Sequence, residues 1–230
     1  MGVKMLTPAE RQHLYQAYAP DPRMLLHTEI RRRLAPLVHG HLGRIQLLHS
    51  LLLSLPGTPI LYYGDEIGMG DNVFLDDRAG VRTPMQWSGD RNAGFSRADS
   101  QRLYAPVITD PVYGYQVVNV ESQERDPASL LRWMKHMIAL RKQHKVFGRG
   151  EMTLLHPHNR AILAYIRRDA TDTMLIVANV SSQSQQVELD LTAYAGMVPR
   201  DMCRGGECPP IGTGPYALML GPYACSWFRL

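Results

Sequence analysis

The residue types best suited to chemistry lie in one polar stretch that begins at position 64. Two neighbouring carboxylates, Asp65 and Glu66, open it directly after an apolar run. A pair of carboxylates can cleave a glycosidic bond when the two flank that bond about 5 to 10 Å apart. Successive side chains at the end of a strand point in opposite directions, so these two cannot easily flank one bond. We therefore interpret Glu66 as a structural or rim carboxylate.

A second group of acidic residues follows in the same stretch. Asp71, Asp76 and Asp77 could hold a cation, but their spacing is not that of a calcium loop. The chain also has no glycine-rich phosphate loop, no G-x-S-x-G sequence and no zinc-type histidine pair. We predict neither a metal nor a cofactor.

The run R-T-P-M-Q-W places Arg82 and Trp87 at its two ends. A guanidinium can donate hydrogen bonds to sugar hydroxyls, and an indole ring can stack on the face of a sugar. This pair therefore suits sugar recognition in a long loop. An arginine that only anchors the loop would give the same pattern, so both interpretations stay open.

The elements around this stretch follow from local signals. Thr7, Pro8 and Glu10 predict a capped helix that ends near position 19. An apolar stripe predicts a second helix, stopped by Pro56 and Gly57. The uninterrupted apolar run 58–63 is typical of a strand buried on both faces, the second half of a parallel α/β unit. Residues 64 to about 125 lack periodicity, and a loop of that length is usually functional.

The rest of the chain changes character near Phe147. Asp126 and Pro127 predict the start of a helix that ends at this residue. Short β-rich segments separated by turn residues follow, and they predict an antiparallel sandwich of about 80 residues. The predicted strands are 151–155, 161–168, 173–180, 186–191, 216–220 and 224–228.

Composition and charge exclude several classes of protein. The 230 residues carry 25 Lys and Arg against 21 Asp and Glu, a net charge of +4. We interpret the one dense basic run, residues 31–33, as a solvated turn, and we predict no nucleic-acid partner. No apolar run approaches the roughly 20 residues of a membrane span. Three cysteines near the C-terminus predict reduced thiols and a cytoplasmic location.

Several of these motifs together resemble one family. The run around Asp65 and Glu66 resembles the last barrel strand of the α-amylase family of glycoside hydrolases, and the stretch from Arg82 resembles its oligo-α-glucosidase and trehalose synthase branch. Further stretches are similar to the trehalose synthases, which interconvert maltose and trehalose. The segments that carry the resemblance are 57–69, 82–87, 92–95, 68–72, 106–111 and 118–121.

The resemblance implies a fold class and two domains. The fold class is α/β plus all-β. Residues 1–147 would form the C-terminal part of a TIM (β/α)8 barrel, about strand 8 with its flanking helices. Residues 148–230 would form the antiparallel β-sandwich. A complete barrel takes about 250 residues, so the barrel would be incomplete in this chain.

The resemblance also implies site roles. Arg82 would bind the glucose held in the reaction subsite, while Tyr63, Asp65, Glu66, Asp77 and Trp87 would serve as site-loop or structural residues. The family's Asp nucleophile, Glu acid/base and third carboxylate lie in motifs that this sequence lacks. We therefore expect no catalytic residue in the chain, and no maltose–trehalose conversion by the chain alone.

Three functions stay open at this point. The chain is a C-terminal portion of a trehalose synthase, a non-catalytic module that caps a barrel or mediates assembly, or part of an α-glucosidase. The expected partners are maltose or trehalose once the missing barrel half is present, together with an N-terminal half or a second copy of the chain. No membrane partner is expected.

Overall fold

The computed structural model describes residues 5–230 of the chain. They form two compact units: the chain up to Ile45 together with Leu61–Trp133, and Gln46–Ile60 together with Met134–Leu230. These units are defined by contacts, and a division into catalytic and β domains at 147/148 stays a prediction. Among residues 5–230, no helix combines the length and apolar character needed to cross a membrane.

The helices are few and mostly short. Thr7 caps the first one as predicted, because its hydroxyl accepts from the Glu10 amide while the Glu10 carboxylate accepts from the Thr7 amide at 2.8 Å. The helix before Pro56 also forms as predicted, and it ends at Ser54. The helices are α1 Pro8–Tyr18, α2 Leu34–Leu37, α3 Leu42–Ser54, α4 Val120–Arg125, α5 Leu130–Gln143 and α6 Val146–Arg149.

The predicted helix start at Asp126 is wrong. The Asp126 carboxylate accepts from the Ala128 amide and closes a turn, and α5 begins only at Leu130. A separate helix, α4, precedes this turn, and the Asn119 side chain caps it by accepting from the Ser122 amide at 2.8 Å. A proline after a capping residue is equally suited to a turn, which is why the sequence pattern misplaced the start.

The second unit contains the predicted antiparallel strands. The strands are β3 Glu151–Leu155, β4 Ile162–Arg168, β5 Thr173–Asn179, β6 Gln185–Leu189, β7 Arg200–Asp201, β8 Tyr216–Leu220 and β9 Cys225–Arg229. Four of the six predicted strands join the short strand β7, which was not predicted, in one sheet of order β3-β4-β5-β9-β7, and β6 pairs with β8 in a second sheet. A two-residue hairpin in the first unit supplies β1 Leu25–Leu26 and β2 Glu29–Ile30.

The central strand β5 is buried on both faces. Leu175 and Val177 face a core that they share with residues of the β6–β8 sheet, such as Val187. On the opposite face Met174 and Ile176 are also fully buried. Helical residues lie on that side of the sheet, where the Phe147 and Trp227 rings are 4.6 Å apart. Both faces of the sheet are therefore covered at its central strand, while the edge strand β3 is mostly exposed.

The predicted strand at 58–63 is not a strand in this structure. Among residues 5–230 it has no strand partner, and instead of being buried on both faces it leaves Ile60 83% exposed. A parallel strand needs partners from distant parts of a chain, because its neighbours are reached only by crossover connections. The apolar run alone does not supply such partners.

Candidate functional site

A sharp turn follows the exposed apolar segment and sets the positions of the two carboxylates. Gly64 and Gly68 adopt φ values of +88° and +72° and bracket a single 3₁₀ turn, Asp65–Ile67. A Cβ on Gly64 would lie 2.7 Å from the Met69 sulfur, so glycine is required there for space as well as for backbone conformation. The Glu66 carboxylate accepts from the Gly64 amide at 2.7 Å and closes the turn.

The three consecutive arginines hold the loop that follows this turn. The Arg31 guanidinium donates to the carbonyl oxygens of Val73, Leu75 and Asp77, and to that of Arg23 at 2.6 Å. A long loop without regular structure leaves carbonyl groups without ladder partners, and a guanidinium with five donors can satisfy several of them. Arg31 thus gathers the loop around one side chain.

The next two arginines bind the start of the same loop. Arg32 Nε lies 2.9 and 3.2 Å from the two Asp71 oxygens, and the Arg33 amide also donates to Asp71 at 2.8 Å. The interpretation of residues 31–33 as a solvated turn is therefore wrong. Because Asp71 is engaged in this way, it is not free to join Asp76 and Asp77 around a cation. The signal in the sequence is the long loop without periodic pattern, because its backbone carbonyl groups need hydrogen-bond donors from elsewhere in the chain.

The segment 82–87 is anchored through its middle and exposed at its ends. Gln86 is buried, and its side-chain amide donates to Tyr113 O at 3.0 Å and to Val118 O at 2.5 Å. The buried Thr83 accepts at its carbonyl oxygen from the Tyr63 hydroxyl at 2.8 Å. Arg82 and Trp87 are exposed. The buried middle therefore fixes two exposed side chains that can meet a ligand.

A left-handed stretch turns the chain back after Trp87. Asn92, Ala93 and Gly94 have φ values of 55°, 60° and 66°. The Asn92 side-chain amide offsets this backbone cost by donating to Ser96 O at 3.0 Å and to Ala98 O at 2.7 Å. Trp87 N also donates to Ala93 O at 2.9 Å, which closes the turn. This turn brings the Phe95 ring to the same cleft as Trp87.

The cleft has a volume of about 390 Å³ and is mostly apolar. It brings together four of the six predicted site residues, namely Tyr63, Glu66, Arg82 and Trp87. Three further lining residues, Leu103, Tyr104 and Ala105, are not predicted from the sequence. The available signal for them is Tyr104, an aromatic residue within a polar loop. Aromatic walls with a few polar groups are typical of a small-molecule site.

The other two predicted residues lie elsewhere. Asp65 lies beside the buried Arg33, with 3.6 Å between its Oδ1 and Arg33 Nη1. Asp77 lines a second cavity of about 540 Å³ together with Arg78 and Glu29. Arg82 lines both cavities, so the two spaces adjoin at this side chain.

Burial determines the electrostatics of Asp65. The pKa of this carboxyl group is raised to about 6, chiefly by loss of solvation, which the charge of Arg33 partly offsets and that of Glu66 reinforces. Burial also raises the pKa of Tyr63, so this hydroxyl keeps its proton at neutral pH and can donate to Thr83 O. Across residues 5–230, no three His, Cys, Asp or Glu side chains are grouped as metal ligands.

Comparisons with known proteins give the family. Residues 31–150 match the family described as the α-amylase catalytic domain, and residues 152–227 match the maltogenic amylase C-terminal domain. A trehalose synthase of Pimelobacter sp. (strain R48) is 50% identical over all of this chain and 41% of its own length. One from Thermus thermophilus is also 50% identical, over all of this chain and 24% of its own length. The chain thus spans less than half the length of these relatives.

Solved structures confirm the predicted fold class. A trehalulose synthase MutB mutant in complex with Tris is similar with a TM-score of 0.66 at 22% identity, covering 82% of this chain and 38% of that one. Such neighbours are TIM-barrel enzymes of the α-amylase family, and the second unit adds the antiparallel sheets. With its catalytic-domain match covering more than half of the residues, the chain belongs to the α-amylase family of glycoside hydrolases.

Proposed function

We propose that the chain is the C-terminal, substrate-recognising portion of a trehalose synthase that interconverts maltose and trehalose. The observation that carries this proposal is the placement of Arg82 and Trp87 in one apolar cleft. The guanidinium donates to sugar hydroxyls while the indole stacks on the apolar face of the ring. The similarity to trehalose synthases over the whole chain supports this choice of substrate.

The two cavities that adjoin at Arg82 suit a disaccharide. One glucose ring occupies the aromatic cleft, and the second ring reaches the more polar cavity beside Asp77 and Arg78. Arg82 then lies between the rings, close to the bond that joins them. This position fits a binding role, since a guanidinium keeps its proton and cannot act as an acid or base at neutral pH.

Bond cleavage needs more than this cleft holds. Retaining glycoside chemistry uses two carboxyl groups about 5 to 5.5 Å apart. Among the residues lining the described cleft, Glu66 supplies one carboxylate, and it is engaged with the Gly64 amide. We therefore propose that the chain binds its substrate without converting it, and that the catalytic carboxylates belong to barrel segments outside this sequence.

The exposed segment 58–63 supports a partner that completes the barrel. Ile60 is mostly exposed and Tyr62 is partly exposed, whereas the family's fold buries the last barrel strand between two others. Leu48 and Leu52 on α3 are also exposed. In this proposal residues 1–147 belong to the catalytic barrel and residues 148–230 form a sandwich that supports it.

Binding is tested by titrating the purified chain with maltose and following heat or tryptophan fluorescence. We expect saturable binding that Trp87→Leu abolishes. Phe74→Leu is the matched control, because Phe74 is an exposed aromatic that does not line the cleft. Equal binding by wild type and Trp87→Leu would overturn the assignment of the cleft.

Catalysis is tested by incubating the same chain with maltose and separating the products. We expect no trehalose from the chain alone. Co-expression with the remaining barrel segments of the Pimelobacter relative should restore conversion. Trehalose formation by the 230-residue chain alone would contradict the proposal, and glucose release by the reconstituted pair would instead favour an α-glucosidase.

A further inference from the structure

Arg33 is a buried cation whose surroundings differ from those of its neighbours. It is 3% exposed, and its guanidinium carbon lies 4.9 Å from the centre of the Tyr62 ring and 4.7 Å from that of Tyr63. Its Nη1 donates to Tyr63 O at 2.6 Å. Asp65 is 3.6 Å away, and this ion pair is too long for a hydrogen bond. The guanidinium is thus held by two tyrosine rings, one carbonyl group and the nearby Asp65 carboxylate.

This arrangement ties Tyr63 at three points. Arg33 contacts both its ring and its carbonyl oxygen, while its hydroxyl donates to the carbonyl oxygen of Thr83. Thr83 is the direct neighbour of Arg82, and Tyr63 and Arg82 both line the cleft. A series of contacts therefore runs from the buried cation through the tyrosine to Thr83, the residue next to the proposed sugar-binding arginine.

We propose that Arg33 is a positioning residue for sugar binding, which acts by holding Tyr63 as a wall of the cleft and, through Thr83, by setting the place of Arg82. This inference rests on the proposed function of the cleft. A planar guanidinium is required, because it stacks on two rings and donates to a carbonyl group at the same time. Lysine would keep the charge without this geometry.

The lack of hydrogen bonds at Arg33 Nε and Nη2 supports this role. Neither atom has a hydrogen-bond partner among residues 5–230, although both are buried. Leaving buried donors without hydrogen-bond partners is costly, so a purely structural arginine would be expected to use them. The side chain is instead placed where its flat face meets the tyrosines.

The first test compares Arg33→Met with Arg32→Met. Arg32 is the matched control, since it is a part-buried arginine in the same segment and its guanidinium binds Asp71. We expect Arg33→Met to weaken maltose binding by about 10-fold or more, from the lost cation–π contact and charged hydrogen bond. Arg32→Met should lower the melting temperature with little change in the affinity of the folded protein. Equal losses of affinity in both variants would overturn the proposal.

A double-mutant cycle separates positioning from general destabilisation. In a Tyr63→Leu background, Arg33→Met should weaken maltose binding no further, because its action passes through the missing ring. Fully additive effects would contradict this route. Arg33→Lys should fold, since it keeps the charge, yet bind maltose as poorly as Arg33→Met.

A readout without sugar keeps the inference testable if the chain binds no maltose. We expect Arg33→Met to speed amide hydrogen exchange in residues 61–67 and 82–87 together, while Arg32→Met speeds exchange in residues 70–74. Unchanged exchange at 82–87 in Arg33→Met would refute the positioning role. Absence of maltose binding by the wild type with the expected exchange pattern would refute only the proposed function.

Discussion

Two short, mostly apolar segments in this chain have opposite structures. Residues 58–63 and strand β5, Thr173–Asn179, contain no charged residue and are mostly apolar. Strand β5 pairs with β4 and β9 on its two edges and is buried on both faces. The segment 58–63 pairs with no strand among residues 5–230, and Ile60 is exposed.

The difference is that the described chain supplies both partners of β5, one close in sequence (β4) and one distant (β9), and no strand partner for 58–63. Strand β4 precedes β5 by a four-residue turn, so a tight hairpin brings them together. Strands of a parallel barrel are joined only through helices and loops of a dozen residues or more. An apolar run indicates that a segment is stable only when buried. The rest of the chain must supply the surfaces that bury it.

The same substitution in the two runs should have very different consequences. Ile176→Ala removes a fully buried side chain and should lower the free energy of unfolding by about 3 kcal/mol through lost burial and a cavity. Ile60→Ala should change it by less than about 0.5 kcal/mol, because the side chain is already in solvent. Urea denaturation of both variants measures the two values. A similar loss at both positions would show that 58–63 is buried in solution.

A smaller loss of stability is expected when Arg167, which binds the C-terminal end of α3, is replaced. Arg167 donates to Ser54 O at 2.6 Å, to Val146 O at 3.2 Å and to Gly150 O at 2.8 Å. Arg167→Met removes these three hydrogen bonds and should cost about 2 kcal/mol. Thermal unfolding followed by circular dichroism tests this. Arg168→Met is the control, since the next side chain along β4 is exposed, and an equal cost there would contradict the role of Arg167.

A further prediction concerns the pH dependence of stability at the start of the site loop. The folded-state pKa of Asp65 is raised to about 6 by burial, so its contribution to stability is fully present below about pH 4 and is lost as the pH rises through about 6. Asp65→Asn cannot ionise. The variant should therefore melt above wild type at pH 8, with the difference vanishing at pH 4. A difference in melting temperature that is the same at both pH values would show that Asp65 does not titrate in this range.

Local signals predicted the elements that depend on near neighbours. The capping box at Thr7 and the hairpins β3–β4 and β4–β5 are confirmed because caps and hairpins are set within a few residues. The strands β6, β8 and β9 are also confirmed, although they pair over longer stretches of chain. The start of α5 was misplaced because Asp126 and Pro127 suit a turn as well as a cap. The prediction of a strand at 58–63 is wrong for this structure, because such a strand depends on pairing with distant strands.

The candidate site shows the same limit. The run from Arg82 to Trp87 was singled out by residue type, and the structure places both ends in one cleft. Residue type does not reveal the buried roles of Arg31 and Arg33, because a basic run has the same composition in solvent and around a loop; the long loop shows only that donors are needed, not which residues supply them. Tyr104 is marked as an aromatic in a polar loop, but nothing local shows which loops meet.

The side chain that gathers the site loop has a practical consequence for engineering. Arg31 is more than forty positions away from the carbonyl groups of Val73, Leu75 and Asp77 that it binds. The shape of that loop is therefore encoded outside the loop. A graft of residues 70–80 onto another family member should keep its conformation only if the arginine travels with it, so specificity exchange by loop swapping in this scaffold has to move two segments.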